Sequence, residues 1–309
     1  MLIVVAETIA DAGLAYLGEH ATVDQAIGLS PEGLRLRLAA ADALIVRSAT
    51  SVDAALLAAA PNLKVVGRAG TGVDNIDIAA AAAAGVVVVA APRAVAISAA
   101  EHTLALLLSQ ARGIPEADRA LRGGSWERER FTGVELHGKT LGVVGLGRIG
   151  TLVARLAEAF GMRVIAYDPH LGADRVRDIG VEPRQHLADL MAEADFVTLH
   201  LPLTGETKGL IGAEALGRAK PGIRIVNTSR GGVLDEEALA GAIRSGRVAG
   251  AALDVFAEEP LTESPLFDLA GVVVTPHLGA STVEAQARAG MEVAEAVIGV
   301  LEAGGRSRD

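Results

Sequence analysis

The residues best placed to do chemistry begin with Gly145-Leu146-Gly147-Arg148-Ile149-Gly150, which follows the apolar run Leu141–Val144 and opens a helical stretch, Ile149–Phe160. A second apolar run, Val164–Tyr167, comes next, and Asp168 closes it 18 residues after Gly150. Each part has a physical task. Gly145 permits a tight turn, Gly147 lets backbone approach a pyrophosphate, and Gly150 lets helix and strand pack closely. The pyrophosphate would then meet the free N–H groups of the helix start. Asp168 stands where a carboxylate accepts hydrogen bonds from the adenosine ribose and repels a 2′-phosphate, so the pattern favours NAD over NADP. Three glycines without this order of elements would read only as a loop closure beside a solvated acid. Arg148 either touches phosphate or is solvated.

A second set is selected by position. Ligands of open parallel sheets bind beyond the carboxyl ends of the strands. Arg230, Asp254 and His277 each follow a predicted strand in the second half of the chain. Arg47, Arg68 and the turn Gly70-Thr71-Gly72 do so in the first third. Hydride exchange at C2 of a small 2-hydroxy acid needs a cation for the carboxylate, a base at the hydroxyl, and a group that tunes the base. Arginine clamps a carboxylate bidentately and stays charged. Histidine is the natural base, and a carboxylate beside it orients the ring and favours imidazolium. Arg230, His277 and a glutamate from the 257–260 segment would fill those roles. The other histidines (His20, His102, His137, His170, His186, His200) read as structural or solvated, with His200 at the cofactor edge. The chain has no cysteine and no histidine pair at metal-binding spacing, so no metal site is expected.

These residues need elements to hold them. Short β-branched runs at 2–6, 43–46, 64–67 and 86–89 alternate with helical stretches near 9–19, 31–40, 53–60 and 76–84. Further strands are expected at 140–144, 163–167, 195–199, 223–227, 248–253 and 272–274. Such alternation predicts α/β architecture with parallel sheets covered on both faces. Ser98 with Glu101, and Ser281 with Glu284, read as capping boxes opening helices to about Ala111 and Leu301. The glycine motif lies mid-chain, after a complete run of strand–helix units, and only one helix follows the last strand. The expected topology is therefore two doubly wound parallel-sheet domains. A nucleotide-binding Rossmann domain, 98–278, is inserted in a discontinuous flavodoxin-like substrate domain, 1–97 and 279–309, with the active site in the cleft between them.

Half of the 309 residues are hydrophobic, but no apolar run approaches the roughly 20 residues of a membrane span. A net charge of −10 argues against nucleic-acid binding, and the lack of a leader or cysteines predicts a cytoplasmic protein. An anionic substrate must be caught by local arginines against that field. Ala99, Ala100, Leu104, Ala105 and Leu108 on helix 98–112, with the single tryptophan Trp126, are expected to form a homodimer surface.

The segments carrying these residues resemble the D-isomer-specific 2-hydroxyacid dehydrogenases along nearly the whole chain. The general marks are Val143–Gly150, Asn227–Gly232, Asp254–Pro260 and Thr275-Pro276-His277. Val46–Thr50, Gly67–Asp77, Trp126–Arg128 and His277–Gln286 most resemble the branch that oxidises D-3-phosphoglycerate with NAD, at the start of serine biosynthesis. The resemblance implies Arg230 as the substrate-carboxylate arginine, Glu259 as the partner of His277, and His277 as acid/base. It implies cofactor contacts from Gly145, Gly147, Arg148, Ile149, Gly150, Asp168 and Thr228, with Asp254 holding the nicotinamide carboxamide. Arg47, Arg68 and the 70–72 turn would face the substrate phosphate, and Arg128 would approach from a neighbouring subunit. Other small acids (glyoxylate, hydroxypyruvate, D-lactate) and a non-enzymatic NAD-sensing protein are the alternatives. Ala90 and Val95 stand where the family usually carries asparagines. Many members continue into an amino-acid-binding regulatory domain; this chain stops at Asp309, as a short form or a truncated piece.

Overall fold

A computed structural model describes residues 1–306, with side chains through 303. The chain divides into two compact units, one of residues 1–96 with 280 onward and one of Ile97–Gly279. In the first, strands β1 (Leu2–Val5), β2 (Thr22–Gln25), β3 (Ala43–Val46), β4 (Val65–Arg68) and β5 (Val87–Ala90) alternate with helices. Those helices are α1 (Asp11–His20), α2 (Pro31–Leu38), α3 (Ala54–Ala58) and α4 (Ile78–Ala83). The sheet is parallel, in the order β2-β1-β3-β4-β5, the flavodoxin-like arrangement. All four residues of β3 are fully buried, as a central parallel strand requires. β2 escapes sequence reading because its Thr22-Val23-Asp24-Gln25 is a polar edge strand with no apolar run.

Helix α5 (Ala96–Arg112) follows, then α6 (Ile114–Arg122) and a short 3-10 turn at Arg128–Phe131. The second sheet comprises β6 (Thr140–Val144), β7 (Arg163–Tyr167), β8 (Glu182–Pro183), β9 (Phe196–Leu199), β10 (Ile223–Asn227), β11 (Val248–Leu253) and β12 (Val272–Val274). Its helices are α7 (Arg148–Ala159), α8 (Ala173–Asp178), α9 (Leu187–Glu193), α10 (Ala213–Arg218) and α11 (Glu236–Arg244). The seven parallel strands run β12-β11-β10-β9-β6-β7-β8, so the order reverses between β6 and β9. That reversal is the Rossmann switch point, and the glycine motif emerges there. Two apolar clusters sandwich the sheet, one including Leu141, Val143 and Phe196, the other Val144, Ile165 and Leu199.

Helix α12 (Val283–Arg306) returns to the first unit. Its Val293, Ala294 and Val297 pack with Ile3, Val5, Ile45 and Val65. A Cβ on Gly13 would lie 2.6 Å from the Gly290 carbonyl, so the two helices meet backbone to backbone.

Both capping-box expectations shift. The turn over 92–95 runs straight into α5, which puts Ser98 inside the first turn. α12 is capped by Thr282, whose Oγ1 accepts the Ala285 N–H at 3.1 Å, rather than by Ser281. The residues expected at an α5 surface divide: Ala105 is exposed and Leu108 half-buried. Ala99, Ala100 and Leu104 are buried within their own chain, whereas Ile97 of α5, Ile114 and Leu121 of α6, and Trp126 are among the exposed apolar side chains. No helix among the described residues is long and apolar enough to cross a membrane.

Candidate active site

The glycine loop is built from close approaches. Gly145 has φ +94°, and a Cβ there would sit 2.6 Å from the His200 carbonyl. A Cβ on Gly150 would lie 2.1 Å from the Gly145 carbonyl, which fixes the helix against the strand end. Gly147 is the N-cap of α7 and brings no side chain to the first-turn N–H groups, which a helix leaves unbonded. The space its missing Cβ would occupy is open. Arg148 and Ile149 begin that turn. The Asp168 carboxylate accepts from the Leu146 N–H at 2.8 Å and the His170 N–H at 2.9 Å, so it stands at the loop. Beside it lies a cavity of about 180 Å³ walled by Tyr167, Pro169, Leu171, Pro183 and Arg184. An open glycine, an uncapped helix start and a carboxylate at the next strand end fit a dinucleotide.

The ends of β10, β11 and β12 carry the second group. After β10, buried Asn227 shapes the turn. Its Oδ1 accepts from the Ser229 N–H and Oγ, and its Nδ2 donates to the Arg230 carbonyl at 3.0 Å. A Cβ on Gly231 would collide with the Phe256 carbonyl at 1.7 Å, so this turn lies against the loop after β11. Thr228 Oγ1 pairs with Thr103 Oγ1 of α5 at 2.7 Å.

His277 pairs with Glu259. Its Nδ1 lies 2.7 Å from Glu259 Oε2, while Glu259 Oε1 accepts the Phe256 N–H at 3.0 Å. Burial pushes the Glu259 carboxyl up, but the His277 and Phe256 hydrogen bonds outweigh it and hold the group below its ordinary range. With Nδ1 engaged, Nε2 of the half-exposed ring is left for a substrate. His277 is the only non-glycine described residue with positive φ, +56°. That conformation costs about 1–2 kcal/mol and persists only where neighbours over-determine it.

Asp254 supplies the over-determination. Its side chain is fully buried. Oδ1 accepts from Thr275 Oγ1 at 2.6 Å and the Leu278 N–H at 2.7 Å, and Oδ2 from the Gly279 N–H at 2.8 Å. The Asp254 carbonyl accepts the His277 N–H at 2.8 Å, and His102 Nε2 approaches Oδ1 at 3.2 Å. Burial raises the Asp254 carboxyl, yet these bonds hold it below the ordinary range. The Asp254 carboxylate is enclosed, and its oxygens are committed to the loop after β12. His102, read from sequence as structural or solvated, is part of this anchor. No spacing connects it to Asp254; only α5 crossing the β11 end does.

In the first unit Arg47 and Arg68 sit at the carboxyl ends of β3 and β4. The Arg68 guanidinium lies directly over Gly70, where a Cβ would come within 1.5 Å of it. Thr71 and Gly72 continue that loop, with Thr71 exposed. Val95 is buried with Ala91, Ala94, Ala285 and Ala289, an apolar contact that an asparagine would spoil. Arg128 is exposed on its 3-10 turn.

The NAD-binding domain model of the D-isomer specific 2-hydroxyacid dehydrogenases matches residues 104–279. The D-3-phosphoglycerate dehydrogenase of Mycobacterium tuberculosis is 56% identical over 296 residues, covering 96% of this chain and 56% of that protein. The chain thus spans about half the length of such relatives. Among solved structures, the TT0316 protein of Thermus thermophilus superposes with a TM-score of 0.90 at 37% identity, covering 98% of this chain and 97% of that one. A glyoxylate reductase from Paecilomyes thermophila gives 0.89 at 30% identity, covering 98% and 96%. With the switch-point glycine loop and the histidine–glutamate pair beside them, these matches lead to one conclusion: the chain belongs to the D-isomer specific 2-hydroxyacid dehydrogenase family.

Proposed function

We propose that the chain is a cytoplasmic enzyme that oxidises D-3-phosphoglycerate at C2, with NAD, to 3-phosphohydroxypyruvate. The observation that carries the chemistry is the 2.7 Å contact between His277 Nδ1 and Glu259. What favours the phosphorylated substrate is the pair Arg47 and Arg68, together with relatives named for that activity. On this reading residues 1–97 with 279–309 serve the substrate and 98–278 serve NAD.

Bound NAD supplies the acceptor for the hydrogen and electron pair leaving C2. Gly145, Gly147, Arg148, Ile149 and Gly150 would hold its pyrophosphate and Asp168 its ribose, and Thr228 and Asp254 would add contacts to it. Arg230 clamps the substrate carboxylate, and Arg47, Arg68 and the 70–72 turn meet its phosphate. His277 Nε2 takes the C2 hydroxyl proton and becomes imidazolium, which the Glu259 carboxylate stabilises across Nδ1. In the reverse direction the imidazolium returns that proton to the carbonyl oxygen. Oxidation therefore starts from neutral His277, and reduction from the charged form.

Two copies pair partly through helix 98–112 and the Trp126 segment, with α6, which lies between them in sequence, beside them. None of the residues of α6 is buried, Leu121 is 56% exposed and Trp126 78%. Arg128, two residues on, would reach the other copy's substrate. Light scattering should give twice the chain mass at micromolar concentration, and a monomer there refutes the pairing.

NAD reduction with D-3-phosphoglycerate, D-glycerate and D-lactate tests the assignment. The phosphorylated acid should give the highest kcat/KM. A preference for either unphosphorylated acid would move the chain to another substrate of the same family.

A further inference from the structure

Glu7, at the end of β1, played no part in the sequence reading, yet it is the centre of the densest hydrogen bonding at the carboxyl edge of the first sheet. Its Oε1 accepts the Arg47 N–H at 2.8 Å and the Thr50 N–H at 2.9 Å, and its Oε2 accepts the Ala49 N–H at 3.1 Å. The same four-residue turn is held from its other side. Asn75 Nδ2 donates to the Arg47 carbonyl at 2.9 Å and to the Thr50 carbonyl at 2.6 Å. Both partners are carbonyl oxygens, so only the amide nitrogen can face them, and the orientation of Asn75 is fixed. One acceptor takes the turn's N–H groups and one donor takes its carbonyls.

Backbone N–H groups that converge in a turn form a concavity suited to an anion. Here a resident carboxylate fills it. Burial pushes the Glu7 carboxyl up, but the three backbone donors outweigh it and keep the group ionised below the ordinary range. A substrate anion arriving at this edge therefore meets the turn's side chains, not its backbone. The Arg47 guanidinium is placed for that: its one hydrogen bond is a long one, 3.4 Å, to the Thr8 carbonyl. It has no carboxylate within 4 Å among the described residues, although Glu7 bonds its backbone N–H.

We propose that Glu7 and Asn75 are positioning residues for substrate recognition: together they fix the 47–50 turn so that the Arg47 side chain, and not the turn's own N–H groups, is offered to the phosphate. This rests on the reading that the substrate is phosphorylated. Neither residue touches the substrate. Glu7→Gln keeps the volume but turns one acceptor oxygen into a donor facing an N–H. Asn75→Ala releases two carbonyls.

The test is kcat/KM for NAD reduction with D-3-phosphoglycerate and with D-glycerate, in wild type, Glu7→Gln and Asn75→Ala, with Tm recorded for each. The ratio of the two values should fall roughly tenfold in each variant, about the worth of one hydrogen bond to a charged group. The loss should lie in KM for the phosphorylated acid, with D-glycerate changed less than about twofold. A variant that lowers Tm and weakens both substrates equally, or that keeps the wild-type ratio, overturns the positioning role. A wild type without preference for the phosphorylated acid fails earlier, and overturns the substrate reading on which the role depends. Should Glu7→Gln not accumulate as folded protein, Asn75→Ala carries both outcomes.

Discussion

In the first unit a carboxylate from the end of β1 holds the turn after β3; in the second, a carboxylate at the end of β11 holds the loop after β12. Glu7 and Asp254 each accept at least two backbone N–H groups. Their surroundings differ. Glu7 is partly exposed and holds a turn free of positive φ, whereas Asp254 is fully enclosed and holds His277 at +56°. On the proposed reading, a turn that only presents the Arg47 cation to a diffusing anion tolerates a solvated anchor. A loop that must keep a base in a strained conformation needs an anchor water cannot displace, because the strain is released as soon as the loop can move.

That contrast is sharpened most by removing the proposed base. His277→Ala should lower kcat by on the order of 10²–10⁴, the usual share of general acid–base catalysis, with NAD affinity by fluorescence quenching unchanged. A loss below tenfold would take the proton transfer away from this loop.

Asp254→Asn tests the enclosed anchor. The amide places a donor among donors, and a buried unsatisfied group costs about 1–3 kcal/mol. Urea melts should show that loss, and kcat should drop with it. Because the folded carboxyl lies below its ordinary 3.8, its contribution is complete above that range and is lost as pH falls through the lowered value. Wild type should therefore lose more stability on acidification below pH 3.8 than the variant does. Parallel acid curves would mean that Asp254 is not ionised in the fold.

Glu259→Gln keeps the shape of the pair but removes the charge that stabilises imidazolium. The pH profile of reduction should move to lower pH while NAD affinity holds. Profiles that stay in place would show that Glu259 orients the ring without tuning it.

The smallest effect is expected at Asp168, a third carboxylate that accepts loop N–H groups. Asp168→Ala should raise the NAD Kd and narrow the NAD-to-NADP ratio, by roughly tenfold for one lost hydrogen-bonding group. An unchanged ratio would leave it with the loop alone.

The glycine loop was fully legible because its requirements are local: a turn, an open approach and a close packing each demand the same residue type within six positions. The positions of Arg230, Asp254 and His277 after β10, β11 and β12 were legible for a similar reason, since parallel strands read as apolar runs with visible ends. Residue types alone left Glu258 and Glu259 equivalent, and only the family resemblance pointed to Glu259. Glu7 and His102 were invisible because their partners are backbone groups and a carboxylate brought near by topology, 40 or more residues away. The edge strands β2 and β8 were missed because one polar, partly solvated face carries no periodic signal. The small residues Ala99 and Ala100 of α5 are buried because close packing requires them, while Ala105 of the same helix stays exposed.

Helix α12 gives the first unit a peculiar order of birth. During synthesis β1 to β5 emerge first, yet the cluster of Ile3, Val5, Ile45 and Val65, which Leu17 of α1 joins, is completed only by Val293, Ala294 and Val297. The second unit, continuous over Ile97–Gly279, is complete before that helix leaves the ribosome. The inserted unit thus matures first and the enclosing one last, so arrested nascent chains should show protease-resistant fragments of residues 97–279 before any that contain β1. Chains halted before residue 283 lack the α12 part of that cluster and should therefore need chaperones more than longer chains do.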